Sequence, residues 1–288
     1  MIKVSQLFIY PIKSLAGISL NTAQLTDRGF QYDRRWMLVD EQNQFMTQRQ
    51  FPEMALLQTG ISEKGISIVH KKNSGKEILI PFSGFTNENL TVKIWNDYCD
   101  ALPAEKFINE WFSDMLQFSC KLVFMPDDSL RKVDGRYAVQ DNDVTSFADG
   151  YPILLIGEAS FDDLNTRLEI PLPINRFRPN IVITGSAAFE EDEMEEFLIG
   201  GIQFFGVKLC ERCAITTINQ DTSEKSKEPL KTLSSYRMQN NNVYFGQNVI
   251  CNQLGIVSIG DELTILKRKA STHSKFCDYS CKTTPISY

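Results

Sequence analysis

The sequence predicts a mainly β protein with a few short helices, and three observations carry that prediction. Short apolar runs bounded by turn residues recur along the chain, which is the pattern of a barrel or sandwich. Helical spacing is confined to three brief stretches. No apolar run approaches the length of a membrane span, so no membrane partner is expected.

Taken in order, Ile2–Tyr10 is a strand ending at Pro11, and Ile18–Leu25 leads into the turn Asp27-Arg28-Gly29. Arg35–Val39 and Phe45–Arg49 flank five polar residues and are expected to pair as a hairpin. Ala55–Ile61, Ile66–His70, Ile78–Phe82 and Leu90–Trp95 continue the series. Pro103 suits the first turn of a helix in which Phe107, Ile108, Trp111, Phe112, Met115 and Leu116 recur at three and four residues, a stripe expected to pack in a core. Cys120–Phe124 is a further strand.

Asp127–Thr145 is polar, turns at Asp134-Gly135-Arg136, and reads as a boundary or as a flap over a site. Beyond it, Ile153–Ile156 and Asn180–Thr184 are strands. Ser160 is placed to cap a short helix carrying Phe161, Leu164 and Leu168. The acidic run Glu190–Glu196 is expected to be a solvated face. Ile202–Leu209 is a strand, and Pro229–Arg237 is a short helix with Leu230, Leu233 and Tyr236 inside. Val243–Cys251 and Gly255–Leu266 close the fold, with a turn at Gly260-Asp261 and a polar tail from Lys267.

Composition prunes the functions. A formal charge of -6 argues against nucleic acid as a main partner. Seven cysteines in 288 residues, with no signal-peptide pattern at Met1-Ile2-Lys3-Val4, point to a reducing cytoplasm. Two histidines, His70 and His273, leave almost nothing for serine–histidine or histidine-rich zinc catalysis. Neither G-x-x-x-x-G-K-[ST] nor G-x-G-x-x-G occurs. Cys99, Cys120 and Cys251 sit in or near strand-like runs and are expected as small buried apolar residues.

The chemistry is placed at Cys210-Glu211-Arg212-Cys213, followed by Thr216-Thr217. Arg212 adjoins the second thiol, and a neighbouring guanidinium favours the thiolate that binds soft metals. C-x-x-C alone can be half a zinc site, a redox pair or two cysteines at a strand end. Four further segments stand out: Tyr10-Pro11-Ile12-Lys13-Ser14, Asp33-Arg34-Arg35-Trp36, Phe147-Ala148-Asp149-Gly150-Tyr151-Pro152 and Arg176-Phe177-Arg178-Pro179-Asn180. Together they offer Lys13, Arg34, Arg176 and Arg178 as donors for a phosphate.

In this order, Y-P-I-K-S, D-R-R-W, F-A-D-G-Y-P, R-F-R-P-N-I-V, C-x-R-C-x-x-T-T, K-E-P-L-x-T-L-x-x-Y-R and F-G-Q-N resemble the MOSC family, named for the C-terminal domain of molybdenum cofactor sulfurase. The resemblance covers roughly residues 1–266 and is narrowest to the branch with an N-terminal MOSC β-barrel, which includes the amidoxime-reducing components and YcbX-type proteins. It implies an N-terminal MOSC β-barrel domain over 1–125, a MOSC β-barrel domain over 126–266 and a tail over 267–288. It also implies a pterin-based molybdenum cofactor whose metal takes the Cys213 thiolate, with Cys213 the catalytic residue. Lys13, Ser14 and Arg34 match residues at the cofactor's phosphate end, and Arg178 matches the arginine of R-P-N. Asp149 and Tyr151 fall in the turn lining the pocket, while Glu211 and Asn248 fall at cofactor-contacting positions.

The activity implied is reduction of N-hydroxylated compounds, with electrons from a separate ferredoxin- or flavin-type reductase. No ferredoxin domain, pyridoxal-phosphate desulfurase domain or membrane anchor is expected beside the two β-barrel domains. Two alternatives stay open: sulfur carriage or cofactor handling through a Cys213 persulfide, and a non-catalytic zinc protein using Cys210, Cys213, Cys277 and Cys281.

Overall fold

A computed structural model describes residues 1–269. Seven strands close a barrel: β1 (Ile2–Ile9), β2 (Ile153–Gly157), β3 (Ile181–Thr184), β4 (Met194–Ile199), β5 (Ile202–Glu211), β6 (Asn242–Ile250) and β7 (Glu262–Arg268). The ring runs β2-β3-β1-β7-β4-β5-β6 and shuts where β6 pairs β2. Only β2 and β3 are parallel. The helix Glu158–Thr166 lies between them in sequence and supplies the crossover that parallel neighbours need.

Closure from so few strands works because inward positions are bulky and apolar. Leu7, Ile9, Ile153, Leu155, Ile183, Phe197, Phe204, Val249 and Leu263 form one buried cluster. Phe197 opposes Phe204 across the β4–β5 hairpin, their rings stacked 5.8 Å apart. Gly246 holds φ +81°, and a Cβ there would meet Ile156 Cγ1 at 2.8 Å, so glycine lets β6 cross close over β2 just before Gln247 and Asn248.

The first strand of the chain therefore belongs to the barrel otherwise built by residues beyond 150. Between β1 and that barrel lie a four-stranded sheet (Trp36–Val39, Lys121–Phe124, Asp97–Pro103, Leu90–Ile94) and a three-stranded meander (Leu57–Ser62, Gly65–His70, Asn73–Ile80). The helix Lys106–Leu116 buries Ile108, Phe112 and Leu116 against Trp36, Leu38, Ile66 and Leu122. Phe107, counted in its apolar stripe, is 49% exposed. Among the described residues no helix is long and apolar enough to cross a membrane.

Several expected elements differ. Phe45–Arg49 is not a strand: a single bridge joins Val39 to Phe45, after which the chain turns with Thr47 and Gln48 buried. Asp97–Pro103 is a strand that the charges at Asp97 and Asp100 disguise. Ser160 sits inside its helix, where its hydroxyl donates to Glu191 at 2.7 Å and accepts from the Phe189 amide at 2.6 Å, so it caps nothing. The acidic run is not a solvated face: Glu191 and Asp192 are fully buried, and Asp192 ion-pairs the buried Arg237. Strand β7 continues through Lys267 and Arg268, which pair with Glu195 and Glu190 on the neighbouring segment. Cys277, Cys281 and His273, and with them half of the zinc alternative, lie outside the described residues.

Candidate functional site

Backbone hydrogen bonds first bring the separate segments together. The Arg34 amide donates to Tyr10 O at 2.9 Å, the Phe147 amide to Arg34 O at 2.9 Å, and the Lys13 amide to Trp36 O at 2.8 Å. The Tyr10 amide donates to Asp33 Oδ1 at 2.7 Å, and Asn180 Oδ1 accepts from both Arg34 (3.0 Å) and the Leu154 amide (3.1 Å). Asn180 is thus a hinge of the site that sequence reasoning placed only as the start of a strand.

The result is one cleft at the end of β5, about 740 Å3 of non-atom space with its open mouth included. Lys13, Ser14, Arg34, Asp149, Tyr151, Arg178, Glu211, Cys213 and Asn248 all line it. Arg176 does not: it is buried beneath the cysteine turn, with Nη1 donating to Thr216 O at 3.4 Å. Three of the lining residues, Ser14, Arg34 and Arg178, sit at φ +67°, +49° and +55°. Left-handed backbone at bulky non-glycine residues is strained, and such strain concentrates at functional sites.

The electrostatics are those of a cation-lined hollow. Lys13 Nζ is buried and donates to Phe147 O at 2.8 Å and Asp149 Oδ1 at 2.6 Å. Burial pushes the Lys13 ammonium down, opposed by Asp149. Withdrawal from water raises the Asp149 carboxyl, but Lys13 and the Trp95 indole N–H outweigh it and hold it well below the usual carboxylate range. Arg34 ion-pairs the buried Asp33. Arg34 and Arg178 both lie over the Tyr10 ring, at 4.4 and 4.1 Å.

Arg178 is the outlier. It is 9% exposed, and among the described residues neither Nη1 nor Nη2 has a hydrogen-bond partner. Burial pulls its guanidinium down to about 10, which leaves it charged at neutral pH. A buried, charged donor without an acceptor is costly, so the site is built for an anion.

The thiols do not divide as the spacing suggested. Arg212 Nη1 donates to Cys210 Sγ at 3.0 Å, and Nη2 to Phe177 O at 2.7 Å. The guanidinium therefore hydrogen-bonds the first cysteine and not the second. Burial pushes the Cys210 thiol up, opposed by Arg212. Cys213 stands in extended backbone at φ −112°, ψ 178° just before the turn Ala214–Thr217, half-buried. Among the described residues its Sγ has no hydrogen bond, so it is available to the cleft. Cys99, Cys120 and Cys251 are buried, and no group of three or more His, Cys, Asp or Glu is arranged to hold a metal among the described residues.

Arg131 went unnoticed in the sequence. Its side chain is buried and donates to Asp97 Oδ2 at 2.8 Å and to the carbonyls of Ser146 and Asp149, each at 3.0 Å. It fixes the turn that carries Asp149, and nothing in the polar stretch around it signals this.

Comparison with known proteins agrees with this architecture. Residues 1–119 match the MOSC N-terminal beta barrel domain, and residues 142–264 match the MOSC domain. The chain is 34% identical over 280 residues to mitochondrial amidoxime-reducing component 1 of Mus musculus, covering 91% of this chain and 82% of that protein. It is 30% identical to mitochondrial amidoxime reducing component 2 of Bos taurus, over 90% and 81% of the two chains. It is also 30% identical to molybdenum cofactor sulfurase of Oryza sativa subsp. japonica, over 93% of this chain but 34% of that one. With both domains matched in order and full-length relatives at this identity, the chain belongs to the MOSC family.

Proposed function

We propose that the cleft holds a molybdenum cofactor and that the protein is an oxidoreductase that reduces N-hydroxylated compounds. The observation that carries this reading is the cleft itself, where a free Cys213 thiol shares one wall system with a buried Arg178 guanidinium whose Nη1 and Nη2 have no hydrogen-bond partner among the described residues. A soft ligand at one place and unmet cationic donors at another suit a group with a metal head and a phosphate tail. The relatives' names, amidoxime-reducing component and molybdenum cofactor sulfurase, point the same way.

On this reading Cys213 supplies the thiolate to the metal. Lys13, Ser14, Arg34 and Arg178 hold the phosphate end, while Asp149, Tyr151, Glu211 and Asn248 shape the wall between. When bound, the cofactor supplies the two-electron redox chemistry, and the chain binds, orients and neutralises it. The overall change is R–N–OH plus two electrons and two protons giving R–N–H and water. A separate ferredoxin- or flavin-type reductase delivers the electrons, and the setting is a reducing one, the cytoplasm. Residues 1–125 and 126–266 are its two units of chain, with β1 lent to the second.

The test is to express the protein with cofactor available, measure molybdenum and oxidised pterin, and assay benzamidoxime with a chemical reductant. Metal-loaded protein that reduces it supports the reading, and loaded protein without activity contradicts the reductase function. The unbonded Cys213 thiol also suits a second reading, a sulfur carrier. A persulfide on Cys213 without molybdenum, seen by mass spectrometry, would favour that one.

A further inference from the structure

The strands Leu90–Ile94 and Asp97–Pro103 are joined by two residues, Trp95-Asn96. Turns this tight favour glycine, asparagine and aspartate, yet Trp95 occupies a left-handed position at φ +56°. The ring is not put away, since Trp95 is 40% exposed. It is nonetheless held from three sides. Its indole N–H donates to Asp149 Oδ1 at 3.2 Å, the Arg49 guanidinium lies 4.4 Å from a ring centroid, and the Phe45 ring stands 5.0 Å away.

Asp149 is the cleft residue that also accepts from Lys13, so Trp95 stands at the rim. The Arg131–Asp97 ion pair ties the same hairpin to the Asp149 turn and keeps it from swinging away. Beyond these contacts, the held ring leaves part of its surface open to solvent beside the cleft. A flat ring backed by a guanidinium on one side offers a surface to another flat π-system.

We propose that Trp95, backed by Arg49, determines specificity by stacking the planar aryl or heteroaryl part of N-hydroxylated substrates at the mouth of the cleft. This rests on the reductase reading above, and the experiment separates the two. In metal-loaded full-length protein, KM is measured for benzamidoxime and for the aliphatic acetamidoxime in wild type, Trp95→Ala and Trp95→Phe. Trp95→Ala is expected to raise the benzamidoxime KM about three- to tenfold, the range of one aromatic contact, and to collapse the KM ratio between the two substrates. Trp95→Phe keeps a ring without the indole N–H and is expected to recover most of the ratio. Equal shifts for both substrates, or no shift, would overturn the proposal.

The same proteins are titrated with benzamidine while tryptophan fluorescence is followed, which needs no turnover. Quenching in wild type that disappears in Trp95→Phe is expected. If wild type reduces neither amidoxime but this signal persists, the reductase reading fails and the stacking surface stands. If the enzyme is active and the quenching survives in Trp95→Phe or is absent from wild type, the stacking surface fails and the reductase reading stands.

Discussion

Two regions of this molecule bury charge, and they do so in opposite ways. Behind the barrel, Asp192 meets Arg237, while Glu191 accepts from the Gly157 amide at 3.1 Å and from Ser160 at 2.7 Å. In the cleft, Arg178 is buried almost as deeply and, among the described residues, has no hydrogen-bond partner at Nη1 or Nη2. The first region is closed upon itself and serves the fold. The second leaves donors open, and that difference, more than burial or charge alone, marks a binding site.

The contrast can be broken most forcefully at Arg237. Replacing it with alanine strands Asp192 in the core and is expected to cost about 3–5 kcal/mol, read as a lowered denaturation midpoint. Arg178→Met should do the reverse to the cofactor-free protein. Removing an unmatched charge is expected to raise stability by about 1 kcal/mol while pyrophosphate affinity, measured by calorimetry, falls roughly ten- to a hundredfold. If both substitutions destabilise alike, the distinction between the regions is lost.

A pH effect sharpens the closed region. Burial, with Asp192 nearby, pushes the Glu191 carboxyl up from 4.5 to about 7. The native state then keeps a proton that the unfolded chain has released, so stability falls as pH rises from about 4.5 to about 7. The loss across that range amounts to roughly 3 kcal/mol, and Glu191→Gln should flatten it in melts taken over the same pH values. Smallest of all, the Lys106–Glu110 pair lies out in water, and Lys106→Ala should change stability by less than about 0.5 kcal/mol.

The mainly β architecture and the segments of the cleft were legible because both are written locally. Strand runs alternate with turns, and the runs around Lys13, Arg34, Asp149, Arg178 and Cys213 each sit at a strand end that the fold gathers into one wall. Pairing across long separations was not legible. That Arg212 serves Cys210, that Arg176 lies under Thr216, and that Ser160 waits for Glu191 depend on partners brought by other elements. The acidic run reads as solvated until Arg237, some forty residues on, folds back against it. Trp95 and Arg131 carry no local signal because each acts through the Asp149 turn.

The Cys213 thiol is the proposed metal ligand within the anion-ready cleft, and metal content tests that role. Molybdenum per chain is measured in wild type and in Cys213→Ala, both expressed with cofactor available and both checked for a native circular dichroism spectrum. Stoichiometric metal is expected in the first and almost none in the second; equal metal in the two folded proteins would contradict a ligand role for Cys213.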